Sequence, residues 1–247
     1  MNAITNKNMR IILSLSKNTE LVPTNYYSSI SSAIHKWLGK NNKYHNTTSY
    51  YNFSFLNGGR KIDNYFDFRD GANIILSSID EKFIIQLLKG INKNPEFNYG
   101  MKVIKFKIDN DFDKYIRTGE NKFLSVSPIL ISSKNSDGKK EYVTFNHDNA
   151  GKIMTTNMIE KLKNIDDNIN FNNFSIRFDD SPKAIKSRKT RWICIHGDYK
   201  YCSLSPIIIT GDKKTVRLCL LLGIGKSNGI GFGCISNKFD EDRKIQS

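Results

Sequence analysis

Ile11, Leu13 and Leu15 alternate with Arg10, Ser14 and Ser16, the period of a half-buried strand. The period then lengthens. Tyr27, Ile30, Ile34, Trp37 and Leu38 recur at helical spacing and form one apolar stripe. Pro23-Thr24 opens this helix with Thr24 as its cap, and Gly39 with the Asn41-Asn42 pair ends it. Two β-rich stretches follow at 50–56 and 65–77, separated by Asn57-Gly58-Gly59. A second helix starts near Asp80 and buries Phe83, Ile84, Leu87, Leu88 and Ile91. A strand then sets Ile104, Phe106 and Ile108 against Lys105 and Lys107.

The second half repeats this order. Stretches 123–132 and 141–145 are strand-like, with Asp137-Gly138 as a hairpin signal. Residues 149–165 read as a helix with Met154, Met158, Leu162 and Ile165 on one face. Strands are expected at 174–178 and 192–203, a short helix at 215–222 and a last strand at 230–235. The expected fold class is α+β: two tandem ferredoxin-like (RRM-like) β-α-β-β-α-β domains, at 1–115 and 116–247. No residue-level repeat is detectable, so the duplication rests on element order. The aromatic motif of single-domain RNA binders of this fold is missing.

Residues 222–233 hold five of the chain's 16 glycines. Gly225-Lys226-Ser227 resembles the end of a Walker A loop, but that motif needs glycine at position 220, which is Leu220. A dinucleotide fingerprint from Gly223 needs glycine at 228, which is Asn228, and a long βαβ unit behind it. Only 14 residues follow Gly233. The run is therefore a set of tight turns or a phosphate contact of another kind.

Composition narrows the partner. Net charge is +14, and a globular chain this basic usually meets a polyanion, with nucleic acid the leading candidate. Cys194, Cys202, Cys219 and Cys234 lack C-x-x-C spacing, so no zinc site and no other metal site is expected, and nothing calls for a cofactor. The first nine residues lack the apolar core of a signal peptide, and no apolar run approaches a membrane span. A cytoplasmic protein without a membrane partner is expected.

Gly223-Ile224-Gly225, five residues, then Gly231-Phe232-Gly233 resembles the C-terminal signature of the CRISPR-associated repeat-processing endoribonucleases, the sixth Cas family. The stretch 30–38 resembles that family's first helix. Tyr44-His45 followed by Tyr50-Tyr51-Asn52-Phe53-Ser54-Phe55 resembles its histidine segment and aromatic second strand, and Ser127-Pro128 the start of its second domain. The resemblance implies metal-independent cleavage of precursor CRISPR RNA within repeats: a ribose 2′-OH attacks the adjacent phosphate and leaves a 2′,3′-cyclic phosphate and a 5′-OH. The alternative is a catalytically inert repeat-binding subunit of the same fold. The implied partner is CRISPR repeat RNA, precursor and mature; other CRISPR effector subunits and a second copy of the chain are further candidates.

Such chemistry needs an acid and a base, and histidine suits both. His45 stands in a polar loop where the family places its catalytic histidine. His35 lies on the flank of the first helix, about 110° from the stripe centre at 100° per residue. His147 and His196 read as capping or turn residues. Tyr26 or Tyr27 is the candidate for the family's helix tyrosine, with Tyr27 placed in the catalytic set although it belongs to the core stripe. The family's lysine has no counterpart between His45 and Arg60. Charge on the phosphorane would fall to Lys36, Lys40, Lys43 or Arg60. RNA contacts are expected from Lys43, from a basic hairpin with Lys183, Lys186, Arg188, Lys189 and Arg191, and from the glycine loop through Gly225, Lys226, Ser227, Asn228, Gly231 and Gly233.

Overall fold

The computed structural model describes residues 9–40, 42–44 and 49–237. The first unit runs β1 (Met9–Leu15), β2 (Val22–Pro23), α1 (Tyr27–Leu38), β3 (Tyr51–Phe53), β4 (Arg60–Ile62), β5 (Tyr65–Asp67), β6 (Ala72–Ser78), α2 (Glu81–Lys93) and β7 (Val103–Ile108). Its main sheet is ordered β3-β6-β1-β7 with every pair antiparallel. That is the ferredoxin-like order, with β2, β4 and β5 forming a small separate sheet. The second unit runs β8 (Gly119–Ser125), β9 (Ile131–Lys134), β10 (Lys140–Val143), α3 (Ala150–Lys163), β11 (Ser175–Phe178), α4 (Pro182–Ser187), β12 (Lys189–Ile195), β13 (Asp198–Leu204), β14 (Ile207–Gly211), α5 (Lys213–Leu222), a 3-10 turn η1 (Asn228–Ile230) and β15 (Ile235–Ser236). Its main sheet, β11-β14-β8-β15, repeats the order of the first.

Three expectations are corrected. Thr24 does not cap α1: its N–H donates to Asn64 O, because Val22–Pro23 pairs with β5 and delays the helix to Tyr27. Stretch 123–132 breaks at Pro128 into β8 and β9, and β9 pairs only with β10 in a hairpin outside the main sheet. The third core strand of the second unit is β14, and 192–203 lies in the outlying β12–β13 hairpin. The physical reason is burial. Ile207, Ile208 and Ile209 are a continuous apolar run at the sheet centre, whereas alternation marks a strand with one wet face. At the other extreme, β7 is an edge strand whose Ile104, Phe106 and Ile108 remain largely exposed.

The two units share their interior. Phe232 and Leu130, with Ile193, Ile195 and Cys202 of the hairpin, complete the core formed by α1, α2 and the first sheet. Arg10, 1% exposed, reaches from β1 to the carbonyl of Ile235 and lies 5.9 Å from the Phe112 ring. Residues 222–233 thread between the units. Asn52 Nδ2 donates to Leu220 O (3.1 Å) and Leu221 O (2.7 Å). The Asn228 amide donates to Ile224 O (3.1 Å) and Phe232 O (2.9 Å), while its oxygen accepts from Lys161. Lys161 also donates to Gly223 O at 3.3 Å. A Cβ on Gly231 would lie 2.7 Å from the Phe53 ring and 3.0 Å from Phe55, and one on Gly233 would fall on the carbonyl of Ile224.

Two measurements test this junction. Gly233 and Gly138 have nearly equal φ, +73° and +75°, but only Gly233 is crowded. Gly138→Ala should cost about 1 kcal/mol from the left-handed backbone alone. Gly233→Ala should cost more than about 3 kcal/mol, with each kcal/mol read as a fall of roughly 2–4 °C in Tm. The second measurement uses Lys161, whose pKa burial lowers from 10.5 to about 8. Between those values the unfolded chain holds a proton that the folded chain has lost, so stability rises with pH. The buried thiols of Cys202, pushed up to about 12, and Cys219 oppose this above pH 9. Denaturation midpoints should therefore rise between pH 8 and 9, and Lys161→Met should remove that rise.

Candidate functional site

His45 lies outside the described residues, but both flanks of stretch 45–48 are fixed. On one side the Tyr44 hydroxyl donates to the Asp80 carboxylate at 2.8 Å, and its ring meets Phe83 edge-on at 4.9 Å. Burial and the Asp80 charge hold the Tyr44 phenol well above its ordinary pKa. Lys43 Nζ stands 3.5 Å from the same carboxylate and 5.0 Å from the Tyr44 ring. On the other side Ser49 lies against Gly229, and Tyr51 stacks on Phe83 at 4.3 Å while donating to Gly229 O at 3.3 Å. Phe83 is thus a common wall between Tyr44 and Tyr51, and Tyr51 carries it on to η1. Asp80 serves twice, because it also caps α2 through Lys82 N–H.

α1 does not bring the remaining catalytic candidates together. His35 is half-buried on the helix flank, as expected. Tyr27 sits two turns earlier, roughly 12 Å along the axis at 1.5 Å per residue. The Tyr27 ring packs on Phe55 at 4.2 Å and on Tyr26 at 4.7 Å and is buried. Burial raises its pKa, opposed by a hydrogen-bonded Arg191 guanidinium from the second unit. Tyr27 is therefore a core residue that lies beside Arg191. Lys36 donates to Glu96 O and lies 5.9 Å from the Trp37 ring. His147 Nδ1 accepts from Asn149 N–H at 3.1 Å, and His196 takes φ 51° in the turn with Gly197.

The basic run 183–191 is not a hairpin. Lys183 and Lys186 are exposed on α4, and Lys189 is exposed at the start of β12. Arg188 turns inward: it bonds Asp179 O at 2.9 Å, pairs with Asp180, and lies 5.3 Å from the Phe145 ring. The expected RNA contact at Arg188 is thereby corrected, since its guanidinium joins α4 to the end of β11.

The glycine loop is corrected in the same sense. The N–H groups of Gly231 and Gly233 are spent on Asn228 O and Pro128 O, and that of Lys226 on Leu130 O. Gly225, Asn228, Gly231 and Gly233 are buried, whereas Lys226 and Ser227 remain exposed. These two line a cavity of about 430 Å³ with Leu130, Ser132, Ser133, Lys134, Gly138 and Lys140. Lys134 and Lys140 were not legible as site residues, because the β9–β10 hairpin meets the loop only in the folded chain. Among the described residues, no group of three or more His, Cys, Asp or Glu has metal-binding geometry.

Solved proteins share this architecture. A CRISPR associated protein Cas6 superposes with TM-score 0.76 at 20% identity, over 94% of this chain and 100% of that one. A Cas6-related protein from Pyrococcus furiosus gives TM-score 0.80 at 19% identity, over 95% and 100%. An RAMP protein binding different RNA substrates gives 0.76 at 19% identity, over 92% and 98%. At these identities the likeness shows the fold. No curated protein sequence matches the chain. The family model for "CRISPR associated protein Cas6, C-terminal" matches residues 111–237, which span β8, the cavity lysines and the whole glycine loop. By that match the chain belongs to the Cas6 family of CRISPR-associated proteins.

Proposed function

We infer that this protein is an endoribonuclease that cuts precursor CRISPR RNA within its repeats and needs no metal. Membership of the Cas6 family carries the reading, and the anchoring of both flanks of stretch 45–48 on Phe83 and Gly229 supports it. In the proposed step the bond from the 2′-oxygen to phosphorus forms and the bond from phosphorus to the 5′-oxygen breaks. The 2′-OH proton goes to a base and the leaving 5′-oxygen gains one, leaving a 2′,3′-cyclic phosphate and a 5′-OH. His45 acts as acid or base, and His35 is a second candidate for the partner role. Lys43, held beside Asp80, offsets phosphorane charge. Exposed Lys183, Lys186, Lys189, Lys226 and Ser227 grip the RNA backbone, together with Arg191 beside Tyr27. Two domains meeting after about residue 115 and a cytoplasmic location fit this function. Among the described residues no helix is long and apolar enough to cross a membrane.

One observation favours the inert RNA-binding subunit. Tyr27 and the alternative Tyr26 are both sealed in the core, which leaves fewer groups for chemistry. Other effector subunits and a second copy of the chain remain partners to be sought in that case.

Incubation of the protein with end-labelled repeat RNA in EDTA decides between the readings. Cleavage at one position in each repeat is expected, and tight binding without cleavage over hours would establish the inert subunit. His45→Ala should slow cleavage by about 10²- to 10⁴-fold with the Kd retained. Tyr27→Phe should leave the cleavage rate near wild type, whereas a loss as large as that of His45→Ala would return Tyr27 to the catalytic set. Binding should weaken steeply with salt, with a log–log slope near −4 if about six single-stranded phosphates are neutralised at 0.7 each.

A further inference from the structure

The β12–β13 hairpin has two different faces. Register places Ile193, Ile195 and Cys202 on the inner face, in the first core, and Trp192, Tyr199 and Tyr201 on the outer one. Trp192 is 61% exposed and Tyr199 62%. Leaving rings of that size in water is unfavourable, yet the indole is held in place. It stacks on Tyr201 at 4.8 Å with 28° between planes, and Tyr142 of β10 meets it edge-on at 6.2 Å. Tyr201 is tied to Thr190 Oγ1 at 2.9 Å, and the Tyr142 hydroxyl donates to Tyr199 O at 3.0 Å. One face of a preordered ring pair is thus presented to solvent.

Cations adjoin this platform. Lys140 Nζ lies 4.9 Å from the Tyr142 ring and also lines the 430 Å³ cavity with Lys134 and Lys226. Lys226 Nζ is fixed on the cavity wall by Ser132 O at 3.1 Å. The cavity lining contains hydroxyls and ammoniums and no carboxylate. The acid that Lys140 does influence, Asp198, is ion-paired with Lys200.

We propose that this surface is a nucleotide subsite: Trp192 stacks on an unpaired base of the bound RNA, and Lys134, Lys140 and Lys226 hold the neighbouring phosphate in the cavity. The subsite rests on the RNA-binding reading above. Lysines crowd out protein partners, since the cores of protein–protein interfaces are depleted in them, whereas aromatic rings beside cations are the usual platform for single-stranded nucleic acid. The base must be unpaired, because a duplex hides its base faces in the stack.

The full-length protein, titrated with a 2′-O-methyl single-stranded oligonucleotide of the repeat sequence that cannot be cleaved, tests the proposal. The other tryptophan, Trp37, is buried with its N–H on Asn94 O, so indole quenching reports on Trp192. Binding should quench the fluorescence. Trp192→Ala should weaken affinity roughly tenfold or more, and Trp192→Phe should restore most of it without the quench. Lys140→Ala should reduce the log–log salt slope by about 0.7. Unchanged affinity in Trp192→Ala overturns the subsite and leaves the RNA reading intact. Failure of the wild type to bind any repeat RNA overturns the RNA reading itself. An oligomer that becomes monomeric in Trp192→Ala, with RNA affinity unchanged, assigns the face to a protein contact and also overturns the subsite.

Discussion

The whole arrangement depends on a short backbone segment buried between the two ferredoxin-like units. Residues 222–233 leave α5, turn under Phe53 and Phe55, and return as β15. A polar segment survives in that position only if its amides and carbonyls find partners. Asn228 supplies two of these contacts from one side chain, Lys161 of α3 supplies a third at Gly223 O while holding the Asn228 oxygen, and Asn52 of the first unit bonds the carbonyls of Leu220 and Leu221 just before the segment. The glycines are needed because the backbones approach more closely than a Cβ permits. At Gly231 the obstacle is an aromatic ring of the other unit, and at Gly233 a carbonyl of the same loop.

The candidate chemistry inherits its position from that junction. η1 follows the exposed Lys226-Ser227 tip and is itself buried against the first unit, where Gly229 receives both Ser49 and Tyr51. Tyr51 then stacks on Phe83, and Phe83 supports Tyr44 immediately before His45. The flanks of the histidine segment are therefore referenced to the second unit as well as the first. The same junction sends Lys226 and Ser227 outward, where they meet the β9–β10 hairpin and create a cationic cavity. One loop thus has a sealed stem that holds the units together and a two-residue tip available to a ligand.

Much of this was legible in the chain. The α1 stripe of Tyr27, Ile30, Ile34, Trp37 and Leu38 is buried as its spacing requires, and Asp80 caps α2 where the apolar pattern begins. Phe232 of the glycine signature is fully buried against Phe55. The errors share a cause. Element order puts stretch 192–203 in the central sheet, but a local strand pattern says nothing of which strands are neighbours, and the stretch forms the outlying β12–β13 hairpin. Arg188 and Lys186 look alike in sequence, and only the fold turns one onto Asp180 and leaves the other in water.

By itself the sequence determined the local elements, their order and the glycine signature, because helical and strand periods and left-handed turns are fixed by residues a few positions apart. The tertiary structure alone decided which polar groups are spent and which are available. Asn52 bonds a carbonyl 168 residues away, and Tyr27 pairs with an arginine of the other unit. No local pattern encodes such pairings, since they arise only when two separately patterned units are brought together around one buried loop.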